Sequence, residues 1–427
     1  MQHFANPRIC RSVMVGLAVA LAVPIAAGFA TIDPEKRARA LNRPLAEWPT
    51  TEEARQDPIG VVGRLADMAA DRSLGLLTSA RWLNQLRYET LGDPGGANVV
   101  RNGDFVFLTD HDLNGRPDYR AIHASCAARD AERSQEIIAR AGVLADASGT
   151  PDRKSAILVV PSKPVLYADR LPVAVPADLR DACMEARADL QWAAQLRKTA
   201  AAQGFLAAYP FRAFDDKRDK PHFYPPENFH TAGWSAHFAA WFVLNRLYPG
   251  EFVPGSPGFG TVRAKADMPS VYLYDRDIQL RTPRYGKARA TRDKADEADL
   301  QARYPEVLEF RVWRSTERGS GRTAVVIGNS FSLYIAPHLA VGFDRLVLIY
   351  QNRLRVPGAR RLYTEVIPEI DPDAVIYIHH DAAHMTGRAF RPLEDAIRIN
   401  KAKARRATSA LKPAANPGDI GEHDGDE

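Results

Sequence analysis

The stretch Ala324-Val325-Val326-Ile327-Gly328-Asn329-Ser330-Phe331-Ser332 is an apolar, β-branched run that ends in a glycine, a small polar residue and a serine. The pattern predicts a strand, a tight turn and the start of a helix. Such a turn lifts the Ser330 side chain to the carboxyl end of a parallel sheet. Gly328, Asn329 and Phe331 make the turn, and backbone N–H groups at the helix start are then available to stabilise an oxyanion. A serine so placed is a candidate nucleophile, and the same pattern also reads as a serine that caps a helix. A nucleophilic serine needs a base. The segment Tyr224-Pro225-Pro226-Glu227-Asn228-Phe229-His230-Thr231-Ala232-Gly233-Trp234-Ser235-Ala236 offers His230 at the start of a predicted helix. A helix N-terminus disfavours the imidazolium, which keeps such a ring neutral and competent as a base; a histidine there also reads as structural.

A third group, His379, His380, Asp381 and His384, follows a predicted strand. His380 and His384 have the spacing of helical metal ligands, but the segment does not read as a helix and has no obvious third ligand. No metal is expected there. The segment reads as a polar loop at the carboxyl edge of the sheet, where ligands gather in α/β folds.

The elements that must position these residues are legible in outline. Helices are predicted over Asp57 to Arg87, Tyr119 to Leu144, Ala177 to Gln203 and Thr231 to Leu247, with apolar residues at helical spacing. Strands are predicted at Ala156 to Val160, Thr323 to Ile327, Asp344 to Tyr350 and Ala374 to Ile378, with a helix at Ser332 to Val341. Strands that alternate with helices over short connections imply βα units and a parallel sheet. Residues 254–304 read as an irregular, loop-rich insertion, and the charged run from Lys287 to Arg303 as a solvated face. The tail after Lys412 has two prolines and only acidic charges, and is expected to be disordered.

The chain has 427 residues, of which 45% are apolar, 26% charged and 9% aromatic, with a net charge of +5. That is the composition of a folded globular protein. No basic stripe is interleaved with aromatics, so nucleic acid is not an expected partner. Arg8 and Arg11 precede an uncharged, mostly apolar run from Ser12 to Thr31. A positive lead and one apolar run read as an export signal, cleaved or kept as an anchor, with the remainder outside the cytoplasm. The run would span roughly 30 Å as a helix, enough to cross a bilayer. Of three cysteines, Cys126 and Cys183 both fall in predicted helices and either pair or remain thiols; Cys10 precedes the apolar run and is expected to stay reduced.

The segment around His230 resembles the Asp-x-His-Trp-x-x-x-Gly-Ala signature of the alginate O-acetyltransferase family, whose domain is SGNH-hydrolase-like. Further matches follow in the family's order. Leu41-Asn42-Arg43-Pro44-Leu45 resembles its N-terminal Asn-Arg-Pro-Leu segment. Asn102-Gly103-Asp104-Phe105-Val106-Phe107-Leu108 resembles its Gly-x-Asp-Gly-Trp-Leu-Phe strand. Val160-Pro161-Ser162-Lys163-Pro164-Val165-Leu166-Tyr167 resembles its Pro-x-Lys-x-x-x-Tyr segment, and Gly328-Asn329-Ser330-Phe331-Ser332 its Gly-x-Ser-[Phe/Tyr]-Ser motif.

The resemblance implies a three-layer α/β, SGNH-like domain over residues 101–400. It would be preceded by a signal peptide or anchor (1–31) and an extension (32–100), and followed by a disordered tail (401–427). It implies an O-acetyltransferase of the periplasm, held at the inner membrane, that acts on an exported, alginate-like polysaccharide without a cofactor. A membrane-bound O-acyltransferase would supply the acetyl group. Ser330 would become an acetyl ester, and His230 would take the serine proton and later that of the sugar hydroxyl.

The sequence departs from the pattern at the family's orienting aspartate, where Asn228 stands. An asparagine can hold an imidazole but cannot stabilise the imidazolium, and in serine proteases such a change costs about 10⁴ in rate. Glu227 is the nearest substitute acid. Thr231 and Ser235 also replace the family's Trp and Gly. A Ser–His dyad, a borrowed acid and a silent enzyme remain open. So do two rival functions, a polysaccharide acetylesterase and a non-catalytic glycan-binding or scaffold protein of an export complex.

Overall fold

A computed structural model describes residues 45–73, 99–111, 117–127, 131–147, 153–251, 258–267, 277–285, 290–315, 320–385 and 390–410, with a few isolated positions before 99. The predicted export segment lies outside these residues apart from isolated positions; of the tail expected to be disordered over 401–427, residues 401–410 instead continue the helix Glu394–Ala410, and the rest lies outside the described residues. Among the described residues, no helix is long and apolar enough to cross a membrane.

The chain forms two compact units, residues 1–117 with 264–278, and residues 118–263 with 279–427. In the first, α1 (Thr51–Gln56) starts with a capping box between Thr50 and Glu53. Asp57 then ends α1 and caps α2 (Pro58–Arg72). The second half of the helix predicted to Arg87 lies largely outside the described residues. Strands β1 (Val99–Asn102) and β2 (Phe105–Leu108) pair antiparallel across Gly103, whose φ of +58° suits glycine in a tight turn.

The second unit carries the large sheet. In chain order its elements are α3 (Arg120–Cys126), α4 (Ala131–Ala147), β3 (Lys154–Val160), α5 (Lys163–Leu166), α6 (Ala177–Ala188), α7 (Gln191–Ala202), β4 (Leu206–Ala208), α8 (Phe211–Asp215) and α9 (Trp234–Leu247). The two-stranded sheet of β5 (Gly258–Lys265) and β6 (Asp277–Arg284) follows in sequence, residues 264–278 belonging to the first unit. Next come β7 (Thr291–Arg292), α10 (Lys294–Arg303), β8 (Phe310–Arg314), β9 (Thr323–Gly328), α11 (Ser332–Leu339), β10 (Arg345–Tyr350), α12 (Val356–Arg361), β11 (Ala374–His380), α13 (Asp381–Met385) and α14 (Glu394–Ala410). The seven-stranded sheet has the order β4-β3-β11-β9-β10-β8-β7. Its first five strands are parallel, and β8 and β7 extend it antiparallel. This is a mixed α/β fold with a large, mostly parallel central sheet.

The parallel strands are buried on both faces, so Ala156-Ile157-Leu158-Val159-Val160 and Ala324-Val325-Val326-Ile327 read as unbroken apolar runs, every residue of which is fully buried. Each such Val, Leu or Ile contributes roughly 1.5–3 kcal/mol of transfer free energy. Helices α9 and α11 pack on one another and against the sheet, while α4 packs with α7 and α14.

Several expectations are corrected. The helix predicted over 119–144 is two, α3 and α4, and that over 177–203 breaks at Asp189 and Leu190 into α6 and α7. Residues 254–304 are not irregular throughout, since they hold β5, β6, β7 and α10. Nor is Lys287 to Arg303 simply a solvated face. Along α10, Asp296 bonds Arg314 at 2.7 Å and Arg345 at 2.7 Å, and Glu297 accepts the Val312 N–H at 3.0 Å. The charges of this helix clamp the antiparallel edge of the sheet.

Cys126 at the end of α3 and Cys183 in α6 form a disulfide across a sequence separation of 57. Closing a loop of that length stabilises the folded state by about 4 kcal/mol in the chain-entropy account. Removing it with Cys126→Ser and Cys183→Ser is expected to lower the denaturant midpoint by a corresponding amount, with the near-ultraviolet dichroism at low denaturant unchanged. An unshifted midpoint would show that the bridge contributes nothing.

Candidate active site

Strand β9 ends at Gly328, where the chain crosses close to the neighbouring strand. A Cβ there would lie 2.6 Å from the Ser332 Cβ and 2.7 Å from the Ile378 carbonyl oxygen, so only glycine fits. The Asn329 N–H donates to the Ile378 carbonyl at 3.2 Å. The Asn329 side-chain oxygen accepts the Phe331 N–H at 3.1 Å, and its carbonyl accepts both the N–H (2.9 Å) and the Oγ–H (2.6 Å) of Ser332. These bonds brace the turn, and the helix that follows has no side-chain cap. Ser330 is left at the apex, half-buried, and among the described residues its own N–H has no protein acceptor.

The second loop is held from below. Lys163 of α5 is 1% exposed. Its ammonium donates to the carbonyls of Pro226 and of Asn228, the latter at 3.0 Å. The Tyr224 hydroxyl donates to the Phe229 carbonyl at 2.7 Å. Beyond His230 the chain reverses at Gly233, with φ +58°, where a Cβ would meet the Arg281 carbonyl at 2.6 Å. Helix α9 therefore starts at Trp234, three residues later than predicted. His230 precedes the helix by four residues, beyond the first turn where the helix dipole acts, so its position rests on the loop.

The two loops meet. The His230 Nε2 lies 2.7 Å from the Ser330 Oγ. The imidazole is stacked on Tyr334 of α11 (centroids 4.9 Å apart, planes at 18°) and flanked edge-on by Phe229 and Phe331. Asn228 and Glu227 are both buried, at 1% and 7% exposure. These aromatic rings pack the imidazole in place with its Nε2 on the serine. An imidazole so placed can accept a proton from Ser330.

The His-rich segment divides by strand alternation. His379 faces one way, its Nε2 3.1 Å from the Nδ1 of His384, with the rings stacked. His380 faces the other way, against Phe331 and Phe229. The segment is not the polar loop expected: His379 and His380 end β11, Asp381 to Met385 form α13, and His384 pairs with His379 and not with His380. Among the described residues, no group of three or more His, Cys, Asp or Glu is arranged to hold a metal ion. Asp381 Oδ2 accepts the Ser162 N–H and the Tyr209 hydroxyl, each at 3.1 Å. Burial pushes the His380 imidazole down to about 4; Asp381 acts against this shift, and His230 adds to it.

Sequence reasoning placed Ser330 and His230 and missed their surroundings. Lys163 was visible within the Pro-x-Lys segment, but nothing local to it shows that it grips a loop more than sixty residues away. Tyr334 was visible only as a residue of the helix after the serine. A further cluster was also missed. The Tyr285 hydroxyl lies 2.7 Å from the Nδ1 of His237 and 2.7 Å from that of His338. Burial pushes His237 down to about 4 and His338 to about 3, the latter with help from His237.

No family model matches the sequence, and no curated protein does. Several solved structures are similar in fold. PatB1 of Bacillus cereus is 11% identical, with a TM-score of 0.44 over 67% of this chain and 96% of that one. The O-acetyltransferase domain of Pseudomonas putida AlgJ is 15% identical, with a TM-score of 0.42 over 71% of this chain and 99% of that one. AlgX of Pseudomonas aeruginosa is 12% identical, with a TM-score of 0.37 over 66% of this chain and 61% of that one. The chemistry of the site is accordingly read from this chain's own residues.

Lys163→Met is expected to leave two buried carbonyls without their donor, which costs roughly 2 kcal/mol or more. Hydrogen exchange should then show faster opening of residues 225–233, and unchanged exchange there would contradict the role given to Lys163. The neutral histidines set a pH window. Unfolded histidine titrates near 6.5, whereas His237, His338 and His380 do so at about 4, 3 and 4. Between pH 6.5 and 4 the unfolded chain binds protons that the folded one does not, so stability falls as pH drops through that window and is insensitive to these groups above it. Denaturation at pH 7.5, 5.5 and 4.5 should show this slope, and His338→Gln should flatten it.

Proposed function

We propose that the protein is a serine acyltransferase that places acetyl groups on hydroxyls of an exported polysaccharide, with Ser330 as nucleophile and His230 as general base. The observation that carries the reading is the 2.7 Å approach of His230 Nε2 to Ser330 Oγ at the carboxyl end of a parallel strand. Support comes also from the free Ser330 N–H and from the ordered run of motifs that resembles the alginate O-acetyltransferase family.

In the first half-reaction His230 takes the Ser330 proton as Oγ attacks the donor's acyl carbon. The tetrahedral oxyanion forms beside the Ser330 N–H. Its collapse expels the donor's leaving group, which carries away the proton from His230 and leaves acetyl-Ser330. In the second, a sugar hydroxyl gives its proton to His230 and attacks the acetyl carbon; the sugar ester departs and Ser330 Oγ recovers the proton. No cofactor enters either step. The setting this reading calls for is the periplasmic face of the inner membrane, with a membrane-bound O-acyltransferase as the source of the acetyl group and no nucleic-acid partner.

Asn228 sits where a carboxylate would hold the imidazolium, with Glu227 next to it as the available substitute acid. That one position favours a second reading, a glycan-binding or scaffold protein in which the pair is silent. The test is p-nitrophenol release from p-nitrophenyl acetate, with intact mass recorded for an acetyl adduct. The parent should turn over slowly and carry the adduct, and Ser330→Ala should lose both. Asn228→Asp should raise turnover at least about tenfold, within the roughly 10⁴-fold span of this substitution in serine triads. No turnover and no adduct in either parent or Asn228→Asp would leave the binding reading in place. If acetyl-Ser330 passes to water as fast with candidate glycans as without, the protein is an esterase.

A further inference from the structure

Helices α9 and α11 pack on one another, and the residue that follows β6 joins them through its side chain. The Tyr285 hydroxyl lies 2.7 Å from the Nδ1 of His237 on α9 and 2.7 Å from the Nδ1 of His338 on α11. The three rings form a nearly equilateral triangle around that point. Their centroids are 5.6 Å apart for His237 and Tyr285, 5.9 Å for Tyr285 and His338, and 5.8 Å for the two histidines. Phe259 closes the outer side of His237, edge-on at 6.0 Å.

A single hydroxyl hydrogen can serve only one of two imidazoles. Tyr285 therefore donates to one Nδ1 and accepts from the other, so one ring carries its proton on Nδ1 and the other on Nε2. Among the described residues, neither Nε2 has a protein partner. No step of the acyl transfer uses this group. Burial holds both histidines neutral, with His237 pushed down to about 4 and His338 to about 3, and the neutral ring is the form that ligates a metal ion. Two imidazoles and a phenol, brought together from three separate elements, are donors that zinc and its neighbours in the transition series accept. The fit is close. A tetrahedral ion with ligands at about 2.0–2.1 Å sets its donors roughly 3.3 Å apart, so each His–Tyr contact need open by only about half an ångström. All three residues are half-buried, which leaves water a path to a fourth position.

We propose that His237, Tyr285 and His338 form a binding site for a divalent transition-metal ion, held by the two Nδ1 atoms and the Tyr285 oxygen with water as the fourth ligand. The protons balance as follows. The ring that carried its proton on Nδ1 takes one on Nε2 instead, and the Tyr285 hydroxyl gives its proton to solvent and binds as phenolate. Burial raises the Tyr285 pKa, and the charge of a bound ion acts in the opposite direction. The ion would pin α9 to α11 one helical turn beyond Tyr334, the residue stacked on His230. That bracing of the serine site rests on the acyltransferase reading; the binding itself does not.

The test is calorimetric titration of the full chain, freed of metal by a chelator and then of the chelator, with zinc chloride at pH 7.5. An ultraviolet difference spectrum is recorded alongside. Zinc should bind and one tyrosine should ionise as it does so. H237Q/H338Q should bind at least about 100-fold more weakly, more than the loss of an outer-shell partner costs. Y285F should bind more weakly than the parent and give no tyrosinate signal. Should H237Q/H338Q fail to fold, Y285F decides alone, because it removes one oxygen and leaves the ring. No zinc binding, binding without the tyrosinate signal, the same signal in Y285F, or equal binding in a folded H237Q/H338Q would overturn the proposal. Ser330→Ala should bind zinc as the parent does, so a missing acetyl adduct would remove the acyltransferase and leave the metal site standing.

Discussion

The ammonium of Lys163, buried under the loop that carries His230, is the interaction on which the site depends most. His230 and Ser330 are a hundred residues apart in sequence and are brought to contact by two loops with different supports. The serine loop is fixed by the sheet, because the parallel register of β9 and β11 sets Gly328 beside Ile378 and leaves no room for a side chain. The histidine loop has no such frame, since helix α9 begins only after Gly233. Its carbonyls at Pro226 and Asn228 point inward, and a positive donor beneath them is what makes that arrangement favourable. An interior cation thus does for one loop what strand pairing does for the other.

How much of this was legible follows from the same distinction. The central strands announce themselves because a parallel strand buried on both faces must be apolar throughout, and the turn at Gly328 is marked by its glycine. The antiparallel edge was not legible. Strand β8 reads Phe310-Arg311-Val312-Trp313-Arg314; Arg311 bonds the nearby Glu309, and Arg314 is held by Asp293 and Asp296 at the start of α10, a tertiary pairing that local composition presents only as charge. The break between α6 and α7 was missed because its flanking residues keep helical spacing. His230 was placed too close to a helix because Gly233 was read as part of the helix predicted from Thr231 to Leu247, whereas its positive φ puts it just before the helix start.

Asn228 is the point at which local geometry and chemistry diverge. The approach to Ser330, the aromatic collar and the free Ser330 amide fit the proposed nucleophile and base, while Asn228 carries no charge to stabilise an imidazolium. The collar can impose the ring's orientation without a carboxylate, through the stack on Tyr334 and the edges of Phe229 and Phe331. It cannot supply the missing charge. The arrangement is that of a Ser–His pair whose ring is also packed by Tyr334, Phe229 and Phe331.

The most direct test of this account is covalent labelling of the serine. The full chain treated with phenylmethylsulfonyl fluoride at pH 7.5 should gain one sulfonyl group, located by peptide mapping to Ser330, and His230→Ala should label far more slowly. No adduct, an adduct on another residue, or equal labelling of His230→Ala would contradict the claim that His230 activates Ser330.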